Sequence, residues 1–423
     1  MFTLSTDILT DTEERAEHLG IFVNDQTLTQ PPSVVNILDR LKEDILSDNT
    51  DLNPQSGNKH KRSRYVNILV PISHRSSDTT GPQNQKSVTS SNSSSSCAPI
   101  INVGFLKVHK AGSTTIQNIL QRFALSHNLN VALPKKNKTT DSHYHYLVFK
   151  NGLTLNNIIP IPKGQSYNMI LNHAVYDKNT WHTILPEDTF YLAIARETES
   201  RFLSAAFYYG LVKRLQKETS SLFIFSELLK HPENFTKSHY YYNGMSYDFG
   251  IPEAHYNLHD RIYHHAKTFV DDFDLIMLVE YFDHSLVLLK RRLCWQLKDI
   301  LYFQNNKGAK SSSREVLFSE DDKVNLQNWQ TADAILYKVF SSVFWTRMKL
   351  EGEEFLLEVE HFKDVRSYVI AYCANKSRKD DLVVKASRWN DIFSVTREDC
   401  KQMVAKEFDL HDTLVQKAWN KMK

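Results

Sequence analysis

The chain has 423 residues, of which 41% are hydrophobic and 11% aromatic, and carries a formal net charge of +2. That is enough apolar material for one large domain with a substantial core plus appendages. So balanced a charge gives no global field for nucleic acid, and no nucleic-acid partner is expected; the local clusters Lys135-Lys136 and Lys290-Arg291-Arg292 read as solvated faces.

In chain order, residues 1–73 read as an N-terminal stem-like region, with one short amphipathic helix marked by Val34, Leu38, Leu41 and Ile45. No run in residues 1–60 approaches the roughly 20 apolar residues that span a bilayer. Residues 74–98 are rich in Ser, Thr and Asn (SSNSSSS at 90–96), cannot bury a core, and read as a flexible linker. Beyond it strand and helix alternate. Strands are expected over 101–108, 129–134, 167–172, 189–195 and 274–279, and helices over 113–127, 198–217 and 283–297. This alternation predicts an α/β fold, a mainly parallel sheet flanked by helices on both faces, with ligands beyond the carboxyl ends of the strands. The core is assigned to residues 99–310. Residues 311–423, with helices over 324–343 and 354–374, read as a C-terminal helical part of the same domain and carry no recognisable chemistry.

The first strand and helix are joined by the most informative stretch, FLKVHKAGSTT at 105–115. Gly112 lets the backbone come close to a ligand, the helix N-terminus presents N–H groups, and Ser113, Thr114 and Thr115 add hydroxyl donors. Lys107 and Lys110 add positive charge. Such a turn suits a phosphate-like anion. A nucleoside-triphosphate loop requires G-x-x-x-x-G-K-[ST], but here Lys110 precedes Gly112 and Gly104 lies eight residues before it, so that reading, and with it a nucleotide kinase, fails. The order Lys-x-Gly-[Ser/Thr]-[Ser/Thr] resembles the 5′-phosphosulfate loop of sulfotransferases that use 3′-phosphoadenosine 5′-phosphosulfate (PAPS). An ordinary helix N-cap at Ser113 or Thr114 is the alternative. The strand over 189–195 ends in Arg196, and Ser204 follows eight residues later, the spacing at which sulfotransferases hold the donor's 3′-phosphate. Arginine offers that phosphate a planar fork.

The segments 105–134, NMILNHAVYD (168–177), AIARETESRFLSAAFYYG (193–210), NGMSYDFG (243–250) and 273–303, with Glu280-Tyr281-Phe282-Asp283 and Cys294-Trp295, resemble the galactose-3-O-sulfotransferases. The similarity covers residues 100 to about 305. It implies a Golgi enzyme with a sulfotransferase fold, PAPS as co-substrate and no metal, which sulfates the 3-hydroxyl of terminal galactose on a glycolipid such as galactosylceramide or on a glycan. Family members normally begin with a signal-anchor helix, which this sequence lacks. The resemblance further implies that Lys107, Lys110, Ala111, Gly112, Ser113, Thr114, Thr115, Arg196 and Ser204 hold the donor. Lys110 would stabilise the leaving group and His173 would act as base, with His109 as its competitor. A histidine base predicts a rate that falls at low pH, with an apparent pKa around 6 to 7. The competing readings are a catalytically inactive glycan-binding relative and transfer to another sugar position.

The four cysteines have no CxxC spacing, which argues against zinc. Cys294 lies in an apolar helix pattern and reads as a buried free thiol; Cys373 and Cys400 form a candidate disulfide for a secretory compartment. N-x-[ST] acceptors at Asn92, Asn137, Asn234 and Asn375 are compatible with lumenal residence.

Overall fold

The protein is described by a computed structural model covering residues 97–135, 153–215, 217, 223–232, 238–303 and 318–423. The expected stem, its amphipathic helix, the linker up to residue 96, and Asn92, Asn137 and Asn234 lie outside the described residues.

Strand β1 (Val103–Leu106) leads into helix α1 (Ser113–Ser126), and β2 (Met169–Ile170) is followed by α2 (Lys178–Ile184). Strand β3 (Phe190–Ala195) feeds α3 (Thr198–Tyr208) and α4 (Leu211–Leu215); α5 (Ser226–Lys230), α6 (Gly244–Asp248) and α7 (His259–Asp272) precede β4 (Leu275–Leu278) and α8 (Phe282–Leu293). The remainder comprises α9 (Glu320–Trp329), α10 (Thr331–Ala374), the hairpin β5 (Leu382–Val384) and β6 (Phe393–Val395), α11 (Arg397–Val404) and α12 (Glu407–Lys421).

The main sheet has the order β2-β1-β3-β4 and every pairing is parallel, with Val103 opposite both Met169 and Phe190 and Leu192 opposite Leu275. All six residues of β3 and all four of β1 and β4 are buried. Successive side chains of a strand point to opposite faces, so both faces of this sheet are covered, as parallel sheets require. The chain turns one way from β1 to β2 and the other way to β3. That reversal puts the topological switch point between β1 and β3, and the loops leaving these two strands flank one crevice.

Local expectations fail where tertiary pairing decides. The segment 129–134 forms no strand: Val131 makes a single parallel bridge to Met169 and Pro134 one antiparallel bridge to Ile158. Proline has no N–H to extend a ladder. The expected helix over 198–217 divides into α3 and α4 at Gly210, which has φ +79°. The helices expected over 324–343 and 354–374 are instead α9 and the long α10, whose break is a kink at Gly352 (φ 74°, ψ −172°). Nor is the 290–292 cluster a solvated face. Lys290 and Arg291 pair with Glu358 at 2.8 and 2.6 Å, and Arg291 with Glu351 at 2.8 Å, which clamps α8 to α10.

Cys294 is not a free thiol. The helix expected over 283–297 ends at Leu293, Cys294 takes a left-handed conformation (φ 55°), and its sulfur is bonded to Cys97, 197 residues earlier. The second disulfide joins Cys373 to Cys400, the candidate pair named above, and ties the end of α10 to α11. Replacing Cys373 and Cys400 together by serine is expected to lower the unfolding free energy by about 3 kcal/mol, because the denatured chain regains the entropy of the open loop. Denaturant titration compared with the parent protein measures that loss, and an unchanged midpoint would contradict it.

No helix among the described residues is long and apolar enough to cross a membrane.

Candidate active site

The loop between β1 and α1 carries two left-handed residues in three, Lys110 (φ 61°) and Gly112 (φ 65°). Glycine takes that conformation freely, whereas for lysine it is a strained backbone of the kind that accumulates at functional sites. A Cβ on Gly112 would meet its nearest atom, in Phe282, at 3.5 Å, so the dihedral and not crowding asks for glycine here. Gly112 is also the N-cap of α1, with no side-chain cap and no acidic residue in the first turn. The N-cap reading of Ser113 and Thr114 therefore fails. Ser113 Oγ donates to the Val108 carbonyl at 2.7 Å and pins the loop. The first N–H groups of α1 receive no side-chain cap from Gly112.

Arg196, at the end of β3, donates from Nη1 to the Lys110 carbonyl at 3.1 Å. This contact bridges the switch point and joins the two segments that the sequence had proposed separately. Ser204 follows two turns along, half-buried on α3. Ala111 is buried, and Thr115 closes the first turn of α1 by donating its N–H to the Gly112 carbonyl at 3.1 Å. Eight of the nine residues proposed for the donor thus lie on the loop, at the start of α1 and at the end of β3, while Ser204 lies further along α3.

Two cations of the loop have different surroundings. Lys107 is 1% exposed and its ammonium is paired with the Glu407 carboxylate at the start of α12. Burial lowers its pKa, and Glu407 opposes that shift. The second oxygen of Glu407 accepts from Thr114 Oγ1 at 3.4 Å. Lys110 is half-buried, with Nζ 3.6 Å from the ring centre of Tyr208. Its pKa is lowered to about 8, first by burial and then by Arg196 and Lys107, with Glu407 opposing.

The two candidate bases stand together. His173, beyond β2, donates from Nδ1 to the Lys107 carbonyl at 2.8 Å, since a carbonyl only accepts. In the neutral ring the basic nitrogen is therefore Nε2. The His109 ring stacks on His173 with centres 3.9 Å apart. His109 is held by Asp248, at the end of α6, which accepts from its Nδ1 at 2.7 Å and from its backbone N–H at 2.6 Å. Burial, then Lys107 and His109, push the His173 pKa well below the usual histidine value. With His173 as base, the acid limb of the rate is expected below the 6 to 7 of an ordinary histidine.

A buried ion pair holds α6 in place. Arg201 on α3 is fully buried with Nε 3.0 Å from Asp333 of α10. Asp333 also accepts from the backbone N–H groups of Met245 and Ser246 and from Ser246 Oγ. A Cβ on Gly244 would lie 2.5 Å from the His239 carbonyl and 2.6 Å from the Arg201 guanidinium, so this approach requires glycine. Removing one partner of such a pair is strongly destabilising.

Sequence reasoning missed Asp248 and Glu407. Asp248 lies in the segment 243–250 that carried part of the resemblance, a signal that assigned it no role. Glu407 belongs to a region that showed no chemistry at all. Among the described residues, no group of three or more His, Cys, Asp or Glu side chains is placed to hold a metal ion.

A family model described as Galactose-3-O-sulfotransferase matches residues 67–391. Galactose-3-O-sulfotransferase 2 of Mus musculus is 30% identical over 285 residues, which are 65% of this chain and 70% of the relative. Galactosylceramide sulfotransferase of Homo sapiens is 30% identical over 272 residues, 63% of this chain and 62% of the relative. Galactose-3-O-sulfotransferase 3 of Mus musculus is 31% identical over 283 residues, 64% and 63% respectively. The chain thus spans roughly two thirds of the length of these relatives.

Proposed function

Because this chain belongs to the galactose-3-O-sulfotransferase family, we propose that it transfers the sulfuryl group of PAPS to the 3-hydroxyl of a terminal β-galactose, on a glycolipid such as galactosylceramide or on a glycan. One observation supports the reading most: the hydrogen bond from Arg196 to the Lys110 carbonyl joins, across the switch point, the two segments proposed for the donor. The loop already holds an anion of the chain's own, the Glu407 carboxylate against Lys107 and Thr114, and this supports its suitability for a phosphate-like group.

The start of α1, with Gly112, Thr114 and Thr115, binds the 5′-phosphosulfate, and Arg196 with Ser204 binds the 3′-phosphate. Lys107 adds charge from beneath the loop, balanced by Glu407. His173 Nε2 takes the proton of the acceptor hydroxyl as its oxygen bonds to sulfur. Lys110 neutralises the charge that gathers on the departing phosphate oxygen as the old S–O bond breaks. His109, fixed by Asp248, holds the His173 ring in place by stacking. Residues 99–310 and the helical part 311–423 act as one domain in this scheme, joined at Lys107 and Glu407. Residence in the Golgi lumen belongs to the same proposal. The two disulfides support it, since such bonds persist in oxidising compartments.

Calorimetry with the product 3′-phosphoadenosine 5′-phosphate tests donor binding, with micromolar affinity or tighter expected, roughly 8 kcal/mol. Arg196→Ala should weaken it by about 2 kcal/mol, the scale of a charge-assisted hydrogen bond. Equal affinity for ATP would end the reading. Labelled PAPS offered with a panel of lipid and oligosaccharide galactosides identifies the acceptor.

A further inference from the structure

The two imidazoles and Lys110 are linked by an arc of tyrosines. Tyr240 lies edge-on to His109 with ring centres 5.8 Å apart, Tyr209 stacks on Tyr240 at 4.2 Å, and Tyr208 meets Tyr209 edge-on at 4.9 Å. The arc closes at Lys110, whose Nζ stands over the Tyr208 ring, and at its other end through the stacked His109 and His173. Its backbone is fixed from behind. The Tyr240 carbonyl accepts from buried Arg201 at 3.3 Å, and the Tyr209 carbonyl accepts from the Tyr241 hydroxyl at 3.0 Å. Tyr208, by contrast, is 71% exposed. A chain of aromatic rings therefore runs from the cation to the base; Tyr240 is enclosed between Tyr209 and His239, each 4.2 Å away, and the open ring surface is that of Tyr208.

The acceptor has to present one hydroxyl to the point between Lys110 and His173. In β-galactopyranose the axial 4-hydroxyl leaves C3–H, C4–H and C5–H together on one face of the ring, an apolar patch beside the reacting O3. Tyrosine rings complement such a patch, since they bury a large area with only two side-chain torsions to fix and keep a polar tip in water. We infer that Tyr208 forms the platform for the acceptor galactose, its solvent-open ring surface stacking on the sugar's apolar face so that O3 lies on the Lys110 side. The inference rests on the sulfotransferase reading above. It makes Tyr208 a specificity-determining residue on the same helix as the donor residue Ser204, one turn further on.

Initial rates with methyl β-galactopyranoside at saturating PAPS test it, together with calorimetry of 3′-phosphoadenosine 5′-phosphate. Tyr208→Ala is expected to raise the acceptor KM about tenfold, with nucleotide affinity within about twofold of the parent, while Tyr208→Phe keeps the KM within about threefold. In saturation-transfer NMR, the protons on C3, C4 and C5 of the galactoside should receive the largest saturation, and Tyr208→Ala should remove that preference. An unchanged acceptor KM in Tyr208→Ala overturns the platform, as does a nucleotide affinity that collapses while the KM stays put, which would give the ring to the donor's adenine. A parent protein that sulfates no galactoside ends the sulfotransferase reading and the platform with it; a normal parent rate with an indifferent Tyr208→Ala ends the platform alone.

Discussion

Replacing Lys110 by alanine is expected to cut turnover by about a hundredfold or more while product nucleotide binds nearly as before. The charge on the departing phosphate oxygen grows only towards the transition state, so a cation that meets it there contributes little to ground-state binding. Its lowered pKa of about 8 adds a pH signature. Below about 8 the free protein carries the ammonium; above it the proton is lost, and kcat/KM for the donor should fall as pH rises through that value. Lys110→Ala should abolish this alkaline limb. Rapid-quench turnover and calorimetry on the same preparation check both parts. A mutant with normal turnover and only a raised KM would make Lys110 a simple anchor.

His173→Ala is expected to reduce transfer to galactose by about a thousandfold or more, the upper range for a lost general base, with nucleotide affinity nearly unchanged. His109→Ala should disturb both, because His109 ties Asp248 to the loop and packs on the base. The acid limb of the rate profile should lie well below the usual histidine range, since burial beside Lys107 and His109 keeps His173 neutral until the solution is distinctly acid. Thermal melting read alongside activity separates a catalytic loss from a folding one: a stable, nucleotide-binding, inactive His173→Ala supports the base. A fully active one would hand the role to His109, whose Nδ1 contact with Asp248 is the arrangement of an oriented catalytic imidazole.

The legible parts of this fold and site were those encoded locally. The buried strands at 189–195 and 274–279 appear as β3 and β4 within a residue at each end, because continuous apolar runs between turns leave few alternatives. The anion loop was readable for the same reason: its glycine, lysines and hydroxyls are consecutive, and the strand and helix that present them flank it directly. What escaped was set by distant partners. Nothing near Cys294 points to Cys97, and nothing near His109 points 139 residues on to Asp248. The 290–292 cluster looked solvated because its counter-ions, Glu351 and Glu358, lie on another helix. The segment 129–134 had the composition of a strand, but Pro134 limits it to isolated bridges beside β2.

The Lys107–Glu407 pair also bears on how the protein is made. The two residues are 300 positions apart, and Lys107 ends up almost wholly enclosed. During synthesis at about 5–20 residues per second, the lysine emerges roughly fifteen to sixty seconds before its counter-ion exists. In that interval its ammonium has to stay in water, since enclosing it unpaired would cost several kcal/mol. The base of the loop is therefore expected to stay open on the nascent chain until the start of α12 has been translated.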